Sequence, residues 1–367
     1  MWYLYVLSVL AILLYLRRPV SNTYWNKPNT NKYGVQIKDL YFYFFWLILL
    51  VLTAFRARSV GNDTGAYLDL FDRISSNGIN ANLRYEMGFQ YFNFIVGKFT
   101  KLPQGVIIAS ALLSYGLIAY YYKKYCVAPL LAIICFYTLF FSEFTNTIRL
   151  AIASCILLFS FESLKKKKNI RAIFFVLIAV LFHNAALVFV PYMIVVIFEI
   201  KFREKLFSII AIVFLVLCVS GNYLIYVLNA VIPSLSSYYS LYLNSDRVGT
   251  GRLGIIYLII KLGIIWFTYA FTVSKNEREN NTLWLYAFAL LLYFASFIMN
   301  LFDRLASVYM FILIVPTINE IINSNKVLKK NYVHFMLLGL IILFLIENIL
   351  RPEWNVLYPY AFFWNDI

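Results

Sequence analysis

Apolar runs approaching ~20 residues recur from one end of this 367-residue chain to the other, and an α-helix of that length spans the hydrocarbon core of a bilayer. In lipid every backbone N–H and C=O has to be satisfied within the chain, which leaves helices or closed barrels. The alternating ~10-residue segments of a barrel do not occur. Composition agrees: 62% of residues are hydrophobic and 13% charged, against roughly 45–50% and 25% in soluble domains. The expectation is an all-α polytopic membrane protein, a single integral membrane domain over residues 1–367.

A net charge of +15 does not call for nucleic acid, because Lys and Arg collect in the cytoplasmic loops of membrane proteins. Arg17 and Arg18 follow the first apolar run, whereas a signal peptide carries its positive charge ahead of the core. Residues 2–16 therefore read as an uncleaved helix with its N-terminus outside. Taking basic clusters as cytoplasmic, further spans fall at about 40–55, 103–122, 126–143 and 147–163. A hairpin of two short helices occupies 171–200, and spans at about 206–230, 254–273, 282–300, 303–321 and 332–350 complete the path. That makes about 12 transmembrane helices with both termini outside. Outer loops lie at about 56–88 and 231–253, and 88–99 is too short to cross, so it reads as an interfacial or re-entrant helix.

Cation type divides with side. The assigned inside holds 15 Lys and 5 Arg, the rest of the chain 3 Lys and 9 Arg. Positive-inside topology does not demand this. Arginine grips phosphate through a planar fork of donors, so the split points to an outward-facing, phosphate-binding cavity.

Five groups supply candidates there. The stretch Arg56–Tyr67 holds Arg56, Arg58, Asp63, Thr64 and Tyr67, with Gly61 and Gly65 around a turn whose N–H groups suit an anion; a plain helix-capping turn is the alternative. Arg84-Tyr85-Glu86 precedes the interfacial helix and reads equally as a surface ion pair. Asn146 and Arg149, three apart, are expected on one helix face with Glu143 a turn earlier. His183-Asn184 falls at the tip of the short hairpin, where irregular backbone lines cavities. Asp303-Arg304 with Tyr309 opens the penultimate span. Arg247, Arg252 and Lys261 complete the basic set, and Tyr238, Tyr239 and Tyr242 suit either sugar stacking or the aromatic belt.

Two histidines and four cysteines (Cys126, Cys135, Cys155, Cys218) without a CxxC imply no metal or disulfide framework. No phosphate-binding GxxxxGK[ST], GxSxG or HExxH motif appears, and no cofactor is expected.

In this order the groups resemble the EpsG-type branch of the Wzy O-antigen and exopolysaccharide polymerases. The likeness rests on Arg56 ahead of Val60-Gly61-Asn62-Asp63-Thr64 and Tyr67, on Glu86-Met87-Gly88-Phe89, and on Asn146 with Arg149. It continues with His183 followed by Ala185 and Ala186, then Arg304 with Tyr309. The resemblance implies a C-type glycosyltransferase-like architecture in the bacterial inner membrane. It further implies polymerisation of oligosaccharides carried on undecaprenyl pyrophosphate at the outer face, without ATP or metal, beside a flippase and a chain-length regulator. On that footing Asp63, Glu86 and His183 are the candidates for orienting or deprotonating the acceptor hydroxyl. Arg56, Arg58, Tyr67, Asn146, Arg149, Arg252, Arg304 and Tyr309 are those for binding pyrophosphate and glycan. Two other readings remain: a lipid-linked oligosaccharide flippase, which should carry its cations deeper, and an O-antigen ligase, usually marked by one dominant outer loop.

Overall fold

The computed structural model describes residues 2–16, 37–80, 85–219, 251–297, 301–324, 329–352, 356–357 and 359–365. Arg84, Arg247, Tyr238, Tyr239, Tyr242 and most of the second outer loop lie outside them. Fourteen α-helices follow in chain order among the described residues. They are α1 (Trp2–Leu16), α2 (Ile37–Ala54), α3 (Thr64–Asn77), α4 (Met87–Phe99), α5 (Gln104–Tyr125), α6 (Pro129–Asn146) and α7 (Ile148–Lys165). The second half contributes α8 (Asn169–Phe182), α9 (Phe189–Ile197), α10 (Glu204–Val219), α11 (Gly251–Thr272), α12 (Asn280–Ala295), α13 (Leu301–Asn323) and α14 (Lys329–Leu350). Among the described residues the one β-type pairing is an antiparallel bridge between Arg56 and Phe362.

Five helices are long and apolar enough to cross a membrane by length and composition: α5, α6, most of α11, α13 and all but the first residue of α14. The chain is an all-α, multi-pass membrane protein. Helices α6, α7 and α13 form its centre, buried along nearly their whole lengths. Ala151, Ala153 and Ser154 are all buried there, small side chains that let helices approach closely. By contrast α8 exposes Ile170, Phe174, Leu177 and Leu181, and α10 exposes Leu206, Ile209, Ile212 and Val216, apolar surface of the kind that suits lipid. The short hairpin is present: α8 stops at His183, whose backbone is extended, a 3-10 turn follows over Asn184–Val188, and α9 returns.

The stretch read as a polar outer loop contains a 14-residue helix, α3. It buries Tyr67, Leu68, Phe71 and Ile74 while Asp69 and Arg73 stay exposed, an amphipathic face with helical spacing. Its many polar residues disguise that spacing.

Candidate functional site

The turn after α2 is built inward. Arg56 is wholly buried, and its guanidinium donates to the Thr53 carbonyl at 2.6 Å and to Thr64 Oγ1 at 2.9 Å. Thr64 Oγ1 in turn donates to the Val60 carbonyl at 2.6 Å, while Gln104 holds the Ala54 and Arg56 carbonyls. Burial pulls the Arg56 guanidinium down to about 10, still charged at neutral pH. Gly61 has φ +88°, and a Cβ there would sit 2.8 Å from Asn146 Oδ1, the atom that accepts from the Asn62 N–H at 2.7 Å. A left-handed conformation with no room for a side chain requires glycine. Arg56 thus organises the turn and Asn146 ties it to α6. Arg58 is exposed and paired with Asp69 at 2.8 Å. Asp63 occupies the N-cap position of α3 without a side-chain capping bond.

Asn146 and Arg149 do not share a helix face. At Thr147 the backbone leaves the helical region, with φ −110° and ψ 65°, so α6 ends at Asn146 and α7 starts at Ile148. The break turns Asn146 towards the 61–62 backbone and Arg149 towards Glu86, with which it forms an ion pair. Tyr67 lies within electrostatic reach of the same guanidinium, and the Tyr85 ring lies 4.8 Å from it. Glu86 stands at the N-cap of α4. Its position depends on Gly88, where a Cβ would fall 2.5 Å from the Leu181 carbonyl oxygen; α4 can lie on the backbone of α8 only there.

Glu86 also accepts from the Asn184 N–H at 3.1 Å, and its Oε1 is 3.4 Å from His183 Nδ1. Burial pushes the Glu86 carboxyl up, but Arg149 and backbone N–H groups outweigh it and hold the group below the usual carboxylate range. Burial, reinforced by Arg149, pushes His183 down, so its ring is neutral at physiological pH. Nδ1 of that ring accepts from the Ala185 N–H at 3.2 Å. The proton therefore resides on Nε2.

Arg304 is exposed in the first turn of α13, and its guanidinium makes no hydrogen bond or ion pair among the described residues. It lies within electrostatic reach of His183 and of Glu143. Tyr309 is fully buried, donating to the Val188 carbonyl and stacking on Phe288 at 5.2 Å, which locks α13 to the 3-10 turn. Arg252 belongs to the first turn of α11, and its side chain lies outside the described residues. Tyr67, Glu86, Arg149 and His183 are thus brought together, with Arg304 nearby, whereas Arg56 and Tyr309 are buried in the frame.

Two polar partners escaped sequence reasoning. Ser307 donates to Glu143 at 2.5 Å, and Glu347 pairs with Lys261 at 2.9 Å between α14 and α11. Charged residues inside apolar spans were the available signal; their partners are set by packing. Among the described residues, no group of three or more His, Cys, Asp or Glu could hold a metal ion.

Fold and site together define a multi-pass α-helical membrane protein with an arginine–carboxylate–histidine cluster where several helix ends meet. The EpsG family model matches residues 39–362, nearly the whole chain, and the protein belongs to the EpsG family. No curated protein and no solved structure matches it.

Proposed function

We propose that the protein is a polysaccharide polymerase. It would transfer a glycan from undecaprenyl pyrophosphate to the next lipid-linked repeat unit at the outer face of the inner membrane. The observation that carries this reading is the contrast among the arginines. Arg149 is neutralised by Glu86, Arg56 is buried within the turn and bonded there through two of its three nitrogens, and the Arg304 side chain makes no such bond among the described residues. A site that receives a pyrophosphate needs one open cation beside a rigid, pre-aimed one, so that charge developing on the leaving group meets fixed donors. Arg304 and Arg149 fill those roles, and Arg56 shapes the floor. Tyr67 and Glu86 aim Arg149, and neutral His183 donates from Nε2 to a phosphate or glycan oxygen. The pyrophosphate linkage is itself activated, so the reaction runs without ATP.

The rest of the reading follows from the same assignment. About twelve crossings in a C-type glycosyltransferase-like arrangement form one domain, with both termini and the site on the periplasmic side. A flippase delivers the substrates and a chain-length regulator sets product size. Replacing Arg304 or Arg149 by alanine should abolish long polymer on a polysaccharide gel and leave single repeat units on the lipid anchor. Long polymer at normal levels in both variants rules the clamp out. Complete loss of lipid-linked repeat units outside the cell would instead identify a flippase.

A further inference from the structure

The proposed transfer releases a proton from the acceptor hydroxyl, and two of the three groups first expected to take it, Glu86 and His183, are poorly placed. Glu86 is held by Arg149 and the Asn184 N–H, and the His183 nitrogen that lacks a proton already accepts from Ala185. We propose that Glu143, resting on Ser307, is the proton acceptor of this glycosyl transfer; the inference rests on the polymerase reading above.

Glu143 lies in the last turn of α6, its backbone carbonyl accepting from the Thr147 N–H at 2.7 Å and Thr147 Oγ1 at 2.8 Å. The same Thr147 that breaks the α6–α7 pair therefore fixes its backbone. The side chain is half-buried, and no cation lies within ion-pair distance of it among the described residues, unlike Glu86 with Arg149, Asp69 with Arg58 or Glu347 with Lys261. The groups facing it are Asp303 and Arg304 from α13, Lys261 from α11 and the Tyr293 phenol from α12. Arg304 lies within electrostatic reach of both Glu143 and His183.

Ser307 gives the pair its chemistry. Its hydroxyl is 2.5 Å from Glu143 Oε1 and 2.8 Å from the Arg304 carbonyl oxygen, yet it has one hydrogen. When Glu143 is ionised, Ser307 donates to it. When Glu143 has taken a proton, it donates to Ser307, which turns its own hydrogen to the Arg304 carbonyl. Neither state leaves a hydrogen-bonding group stranded, which suits a residue that changes protonation each turnover. In the step itself the acceptor oxygen forms the new bond to the anomeric carbon as its proton passes to Glu143. The bond from that carbon to the phosphate oxygen breaks, and the electron pair leaves with the lipid pyrophosphate.

The test uses full-length protein in lipid nanodiscs with a lipid-pyrophosphate-linked repeat unit as both donor and acceptor. Glu143→Gln should lower kcat about 100-fold or more, leave KM within about threefold, and remove the acid limb from the pH profile of the residual activity. Glu143→Asp should recover part of kcat. Ser307→Ala, a milder change, should keep the fold and displace the acid limb. A Glu143→Gln enzyme with wild-type kcat overturns the assignment. So does a rise in KM equal to the fall in kcat, or an unaltered acid limb in both variants. Asp63→Asn serves as the rival: loss of the acid limb there and not in Glu143→Gln transfers the role to Asp63. Wild-type protein that makes no polymer from this substrate defeats the polymerase reading itself, a result distinct from any of these.

Discussion

Glu86 links three elements, accepting from Arg149 of α7 and Asn184 of the 3-10 turn while standing at the N-cap position of α4. Replacing it with alanine leaves the half-buried Arg149 without its counter-charge, a loss of about 1–3 kcal/mol for a pair between the exposed and fully buried cases. Because the folded carboxyl titrates below its ordinary value, the stability it contributes is full above about pH 4.3, the unfolded value. It is lost as pH falls through the lower folded value. Thermal unfolding between pH 7 and 3 should therefore bring wild type and Glu86→Ala together only at the acid end; curves separated by a constant amount contradict the linkage. Gly88 is the neighbouring test. Its alanine variant drives a methyl into the Leu181 backbone and should cost ~1–3 kcal/mol, together with polymer synthesis, since Glu86 moves with the helix. An unchanged melting temperature would show that α4 is free to shift.

At the scale of elements, the C-terminal segment straps the turn after α2. Ala57 N–H donates to the Ala361 carbonyl at 2.9 Å, Gly61 N–H to Val356 at 2.9 Å and Phe363 N–H to Phe55 at 3.0 Å. The Tyr360 hydroxyl reaches the Leu52 carbonyl at 2.8 Å, and Phe55 stacks on Phe363. Deleting residues 356–367 should lower the melting temperature and polymer yield together, because buried backbone groups lose their partners. Tyr360→Phe should cost only about 1 kcal/mol, the worth of one hydrogen bond. A truncated protein as stable as wild type would show that the strap is dispensable. Sequence pattern located the five long apolar helices and the hairpin tip at His183 but missed α3, whose apolar positions are spaced among many polar ones. It also joined Asn146 to Arg149 by spacing alone, where the break at Thr147 separates them. A helix break without proline or glycine leaves little trace in sequence.

For the molecule as a whole, the proposed topology places the Arg149 end outside and the Lys165 end inside. In a background lacking the native cysteines, an impermeant thiol reagent on intact cells should label Ser76→Cys and spare Lys167→Cys, both exposed positions. The reverse pattern would put the site in the cytoplasm and end the periplasmic reading. Membrane residence and helical class were settled by sequence, because lipid admits few backbone solutions and composition reports that constraint directly. Tertiary structure decided which arginine is spent and which is open. Arg56, Arg149 and Arg304 look alike along the chain, but their side-chain partners Thr64, Glu86 and none among the described residues come from helix ends that only packing brings together. The availability of a charge depends on what neutralises it, and that neighbour is chosen in space.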